Sequence, residues 1–142
     1  MFHVKHIDEN IYKELYKLAL KSVKNDDVPV SALVLYNDKI IGKGYNNRGS
    51  KNTVLGHAEV NAIKQAEKYI KDWRLTECTI ICTLKPCFMC AEVIESSRIK
   101  NVYYILDQEM FNYDYDFKKI DDNNEYIEKY KKLFNDFFKS IR

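Results

Sequence analysis

Glycine and proline are scarce, with 4 and 2 residues in a chain of 142. Flexible linkers draw on such residues, so their scarcity argues against a jointed, multi-domain chain. The length fits one domain, and residues 1–142 are read as a single unit. No stretch approaches the roughly 18 consecutive apolar residues of a membrane span. Met1 to Glu9 lacks the apolar core of a signal peptide and carries Asp8 and Glu9, unlike a transit peptide. A cytoplasmic location is the resulting expectation. A large net charge is also missing: 23 basic against 21 acidic residues leave +2, too little to infer an obligate polyanion binder.

What remains is the make-up of a folded domain, 46% hydrophobic and 31% charged. A chain of this size can bury about 68–70% of its surface on folding. One stretch is locally basic: Lys39, Lys43, Arg48 and Lys51 occur with no acid among them. It can touch a phosphate backbone or serve as an ordinary solvated face.

Apolar residues recur at helical spacing from Ile11 to Val23, with Lys13, Lys17, Lys21 and Lys24 on the other side. Asp26, Asp27 and Pro29 end that helix. Val30–Tyr36 and Lys39–Tyr45 read as strands joined by an Asn37-Asp38 turn. Asn46–Gly56 reads as a polar loop, and a second helix starts at His57. A third strand covers Thr79–Thr83, a helix runs from about Cys87 to Ser96, and an almost wholly apolar strand covers Asn101–Leu106. Such runs imply strands covered on both faces. Residues 107–124 follow no clear pattern. A last helix, from about Glu125 to Ile141, carries the stripe Tyr126, Tyr130, Leu133, Phe137 and Ile141. The predicted architecture is a three-layer α/β domain around one mixed sheet.

Four cysteines, Cys78, Cys82, Cys87 and Cys90, fall between positions 78 and 90. Without a secretory signal, such clustering indicates a metal site more than a disulfide frame. Cys87 and Cys90 are three apart at a helix start, where they share a face and the helix dipole favours thiolates. His57 opens another helix and supplies a third ligand. Three protein ligands leave one corner of a zinc ion to water, the arrangement of catalytic sites. Glu59 is the nearby carboxylate that can move protons, provided that His57 stands at the helix entry, since residues two apart inside a helix do not share a face. Zinc, a wet corner and a carboxylate together specify hydrolysis. The rival arrangement is a closed site of all four cysteines. Cys78 and Cys82 lie four apart on a strand, facing one way, and are read as core thiols. His3 and His6 are read as unligated, and Arg98 as a salt-bridge partner at a helix end.

His57-Ala58-Glu59 followed by Pro86-Cys87-Phe88-Met89-Cys90 matches the signature of zinc nucleobase deaminases. With Val28-Pro29-Val30, Gly44-Tyr45-Asn46, Thr83-Leu84-Lys85 and Ser97-Arg98-Ile99 in order, the chain resembles the cytidine/deoxycytidylate deaminase superfamily, and within it the bacterial tRNA adenosine deaminases. That resemblance implies a cytidine-deaminase-like fold with a mixed sheet of about five strands and helices on both faces. It implies one Zn²⁺ per subunit on His57, Cys87 and Cys90, with Glu59 as proton shuttle. Asn46 would hydrogen-bond a flipped base, and Val30 and Leu84 would line its pocket. It further implies a homodimer and, as substrate, the wobble adenosine of a tRNA anticodon loop, converted to inosine. Residues 133–139 resemble the family's last helix, which helps hold that loop. Phe138, off the apolar stripe, is the candidate for stacking on a base.

Three stretches depart from the family. Lys85 stands where the family has Glu, Thr53-Val54-Leu55-Gly56 replaces Asp-Pro-Thr-Ala, and Leu106–Phe111 replaces an Ala- and Gly-rich substrate loop. His57–Ile63 and Gly44–Asn46 also resemble deoxycytidylate deaminases. A free nucleotide or base (deoxycytidylate, cytosine or guanine) is therefore the alternative substrate. An inactive zinc-bearing partner subunit is a third reading, against which the presence of Glu59 argues.

Overall fold

A computed structural model describes residues 7–141; the expectations placed on His3, His6 and the first six residues lie outside them. The elements follow in the order α1 (Glu9–Lys24), β1 (Ser31–Tyr36), β2 (Lys39–Tyr45), α2 (Arg48–Lys51), α3 (Ala58–Ile70), β3 (Cys78–Leu84), α4 (Phe88–Ser96), β4 (Asn101–Leu106), β5 (Lys118–Lys119) and α5 (Glu125–Ser140). The sheet has five strands in the order β2-β1-β3-β4-β5. β1 pairs antiparallel with β2 and β3, while β3–β4 and β4–β5 are parallel, so the sheet is mixed.

Alternation along the strands builds two cores. Ala32, Val34, Ile80, Cys82, Val102 and Tyr104 face Ala58, Ala62, Ile63, Ala66 and Ile94 of α3 and α4. Leu33, Leu35, Ile81, Tyr103 and Ile105 face Ile11, Leu15, Leu18, Ile127 and Tyr130 of α1 and α5. Helices therefore cover both faces, and the central strands are apolar on both. The turn between β1 and β2 places Asn37 and Asp38 at φ 50° and 62°. Those are the left-handed conformations that a two-residue hairpin of type I′ demands.

Helix α3 lies very close to β2. A Cβ at Gly44 would stand 2.0 Å from the Ala58 carbonyl oxygen, and one at Gly42 would stand 2.2 Å from that of Ala62. Only glycine allows this approach, which fixes where the N-terminus of α3 meets the sheet. The same end of the sheet is tied by side chains. Thr83 Oγ1 accepts the Ser31 N–H at 2.9 Å, and Ser31 Oγ donates to the Leu15 carbonyl at 2.6 Å. Tyr130 reaches from α5 to donate its hydroxyl to the Pro29 carbonyl at 2.8 Å.

Three expectations are corrected. Residues 46–56 are not all loop, because Arg48–Lys51 makes one helical turn. Residues 107–124 contain the fifth strand, two exposed lysines with no apolar pattern to announce it. On α5 the expected Tyr126, Tyr130 and Leu133 do pack on the core and are joined by Ile127 and Phe134, whereas Ile141 is 63% exposed. The end of the helix lies off the core, so Ile141 stays exposed while Phe137 packs on Phe138.

Candidate active site

The N-termini of α3 and α4 meet above one end of the sheet. His57 is the N-cap of α3, with extended backbone (φ −96°, ψ 144°), and makes no capping bond of its own. The requirement that His57 stand at the helix entry is met, and its ring is released to point with Glu59 toward one place. Capping falls instead to Asn46, whose Oδ1 accepts the Ala58 N–H at 2.8 Å. Cys87 is the N-cap of α4, and Cys90 lies in its first turn. Pro86 therefore precedes the cap and does not occupy the first helical position.

His57, Cys87 and Cys90 bring one nitrogen and two sulfurs within 4.8 Å of one another, and this is the group of potential metal ligands found among the described residues. The His57 Nδ1 to Cys87 Sγ separation is 3.8 Å. Two ligands on a tetrahedral zinc, with bonds of about 2.0 Å to nitrogen and 2.3 Å to sulfur, stand about 3.6 Å apart. The donor types and their spacing fit such an ion. Cys78 and Cys82 are buried in the core and lie outside this group.

The electrostatics suit a cation. The neighbouring Cys90 thiol, and then His57, push the Cys87 thiol down to about 4, against the opposing effect of burial. Cys90 is raised, first by Cys87 and then by burial, so without a cation the pair keeps one proton on Cys90. His57 is raised by its contact with Cys87. Glu59, 3% exposed, is pushed up to about 7 by burial.

These groups border a cleft of about 150 Å³. Val30, Asn46, His57, Glu59, Leu84 and Cys87 all line it, and Cys90 is buried beside it. Phe138 does not line it; it packs against Phe134 at 4.9 Å and Phe137 at 5.5 Å on α5. Five further lining residues were missed by sequence reasoning: Val28, Arg48, Lys85, Gln108 and Phe111. Arg48 lies 3.5 Å from the buried Asp27, which also accepts the Gly49 N–H and so ties α2 to the entry of β1. Lys85 pairs with Asp107 at 3.7 Å and lies over the Tyr113 ring at 5.0 Å. Gln108 Nε2 donates to the Lys85 carbonyl, and Phe111 meets Phe88 edge to face at 5.2 Å. The only advance signal for this wall was its departure from the family pattern at Lys85 and at 106–111.

The chain matches the model of the MafB19-like deaminases over residues 7–142. It is 40% identical over 92 residues to the tRNA-specific adenosine deaminase of Buchnera aphidicola subsp. Schizaphis graminum, covering 62% of this chain and 61% of that one. It spans less than two thirds of the length of several curated relatives that it matches, 61% of that one and 63% of others. A structure from a study of A-to-I editing by tRNA:A34 deaminases at the wobble position of transfer RNA superposes with a TM-score of 0.68 at 25% identity, over 78% of this chain and 97% of that one. The X-ray structure of guanine deaminase from Bacillus subtilis superposes with a TM-score of 0.66 at 31% identity, over 72% of this chain and 66% of that one. These neighbours carry the same cytidine-deaminase-like fold, a mixed sheet between layers of helices.

Proposed function

The chain belongs to the MafB19-like deaminase family, and from that premise we propose that it hydrolyses the wobble adenosine of a tRNA anticodon loop to inosine. The observation that carries this reading is the meeting of His57, Cys87 and Cys90 with the buried Glu59 carboxyl at one small cleft. The names of the relatives supply the substrate.

His57, Cys87 and Cys90 would hold one zinc ion. When bound, that ion supplies Lewis acidity, which makes water nucleophilic near neutral pH. Glu59 carries the protons. Its carboxylate accepts one from the attacking water, delivers it to N1 of adenine, and serves again as the amino group leaves C6 as ammonia. Burial keeps the Glu59 carboxyl away from bulk water, so the proton it takes is passed to the substrate and not lost to solvent. Asn46 positions the base. With Oδ1 committed to Ala58, its Nδ2 is the end left to donate into the cleft. Val30 and Leu84 supply apolar walls for the ring. Phe138 acts outside the cleft, on the exposed aromatic end of α5, as a stacking surface for the loop.

Residues 1–142 form a single deaminase domain that works as a homodimer, with the exposed Val54 and Leu55 beside the cleft as apolar contact surface. No helix among the described residues is long and apolar enough to cross a membrane. A tRNA substrate places the reaction in the cytoplasm.

A second reading, deamination of a free base, is favoured by Gln108 and Phe111, which line the cleft from the segment that departs from the tRNA-deaminase pattern, and by the guanine deaminase neighbour. Mass spectrometry of the products decides between them when the zinc-loaded protein is offered an anticodon stem-loop, guanine and deoxycytidylate. Inosine in the RNA is expected. Xanthine or deoxyuridylate without inosine overturns the tRNA reading.

A further inference from the structure

Charge is distributed unevenly across the sheet. Toward the β5 edge, residues 107–122 hold six acids (Asp107, Glu109, Asp114, Asp116, Asp121 and Asp122) against Lys118 and Lys119. At the opposite edge the sign reverses. A groove of about 340 Å³ runs between β2 and α3, with Lys43, Lys64 and Lys68 among its lining residues. Lys21 of α1 stands 5.8 Å from the centre of the Tyr45 ring beside it. Among the described residues, Glu14, 3.0 Å from Lys43, is the one carboxylate in an ion pair with any of these lysines.

The floor of the groove is fixed. Asn61 Nδ2 donates to the Tyr45 carbonyl at 3.0 Å and to Asn47 Oδ1 at 2.9 Å. Gln65 Oε1 accepts the Lys43 N–H at 2.8 Å, which occupies a donor of the edge strand and disfavours addition of another strand there. Lys64 and Lys68, both exposed and one turn apart, are left to present positive charge outward. The groove and the cleft are bordered by consecutive residues at the end of β2. Asn46 lines the cleft and Asn47 lines the groove, so a chain whose base enters the first passes over one peptide into the second.

We propose that this groove binds the phosphodiester backbone of the RNA strand whose base occupies the cleft, with Lys43, Lys64 and Lys68 neutralising its phosphates; the proposal rests on the RNA reading given above. A free base carries no phosphate and gains nothing from the groove.

The test is equilibrium binding of a fluorescent anticodon stem-loop across a salt series, to wild type, to Lys64→Glu/Lys68→Glu and to Lys118→Glu/Lys119→Glu, with inosine formation measured in parallel. All four positions are exposed, and both variants change net charge equally. Losing two phosphate contacts flattens the slope of log affinity against log salt by about 2, and the weakening falls evenly on all sequences. The expected result is that flattening, with affinity at low salt reduced tenfold or more, in the α3 variant alone. Equal slopes in wild type and the α3 variant, or equal losses in both variants, overturn the groove while inosine formation leaves the tRNA reading standing. Binding that is lysine-dependent in a protein that forms no inosine overturns the deamination reading and leaves the groove standing.

Discussion

Asn46 caps helix α3 from outside the helix, its Oδ1 lying 2.8 Å from the backbone nitrogen of Ala58. His57, at the N-cap position, is thereby left with its ring directed at Cys87. One amide thus does two things: it holds the N-terminus of the helix that carries His57 and Glu59, and it offers Nδ2 to the cleft.

Substitutions at Asn46 separate these effects. Asn46→Ala removes the cap and lowers stability by about 1–2 kcal/mol. Asn46→Asp keeps an acceptor for the Ala58 N–H but has no donor for a base. Its thermal unfolding should fall above that of Asn46→Ala, while both lose deamination by at least about 100-fold in kcat/KM, the scale of a buried polar partner left unpaired. Full activity in Asn46→Asp would contradict the assigned donor role.

The close approach at Gly44 makes a sharper structural prediction. A methyl group there meets the Ala58 carbonyl at 2.0 Å, and that atom is backbone with nowhere to retreat. Gly44→Ala must push α3 away from the sheet, at a cost of about 3 kcal/mol. His57 moves with the helix, so zinc affinity falls together with stability. Urea unfolding and metal titration read both; an unchanged zinc affinity would show that the helix start is not what places the histidine.

Glu59 governs a pH dependence in the metal-free protein. Burial raises its carboxyl to about 7 from an ordinary 4.5. Between those values the folded protein keeps a proton that the unfolded chain gives up, so stability falls as pH rises. The penalty is absent below about 4.5, complete above about 7, and amounts to roughly 3 kcal/mol at most. Glu59→Gln cannot ionise and removes it. Cys87 and His57 titrate in both proteins, and their charges act on Glu59 in opposite directions and less strongly than burial does. After removal of zinc with a chelator, Glu59→Gln should therefore gain on wild type in thermal stability between pH 5 and pH 7.5; parallel curves would contradict the assignment of a buried, neutral-range carboxyl.

Tyr130 links α5 to the segment that enters the cleft wall at Val30. Its hydroxyl donates to the Pro29 carbonyl at 2.8 Å in a buried setting. Tyr130→Phe leaves that carbonyl unpaired and costs about 1–3 kcal/mol in urea unfolding. A loss indistinguishable from zero would mean that water replaces the bond.

Much of this was legible in the sequence because periodicity and spacing report on rigid elements. Apart from the single turn of α2, the strands and helices of residues 9–106 follow from apolar runs and helical repeats. The His57-x-Glu59 and Cys87-x-x-Cys90 spacings became a compact cluster because each pair sits at a helix start. What stayed hidden lies where side chains carry no period. β5 is two lysines held by pairing to Tyr103 and Tyr104. Arg48, Lys85, Gln108 and Phe111 reach the cleft from loops and loop-like ends, whose positions depend on tertiary contacts such as Asp27 with Arg48 and Gln108 with the Lys85 carbonyl. The capping role of Asn46 was equally invisible, since it joins residues 46 and 58 across two elements.

The central claim is a metal held by one imidazole and two thiolates with room for a light ligand. Zinc-edge X-ray absorption on the purified protein tests it most directly. The account predicts one zinc per chain with two sulfur and two nitrogen or oxygen neighbours. Four sulfur neighbours would place Cys78 and Cys82 on the ion and close the site, and that result would contradict hydrolysis at this centre.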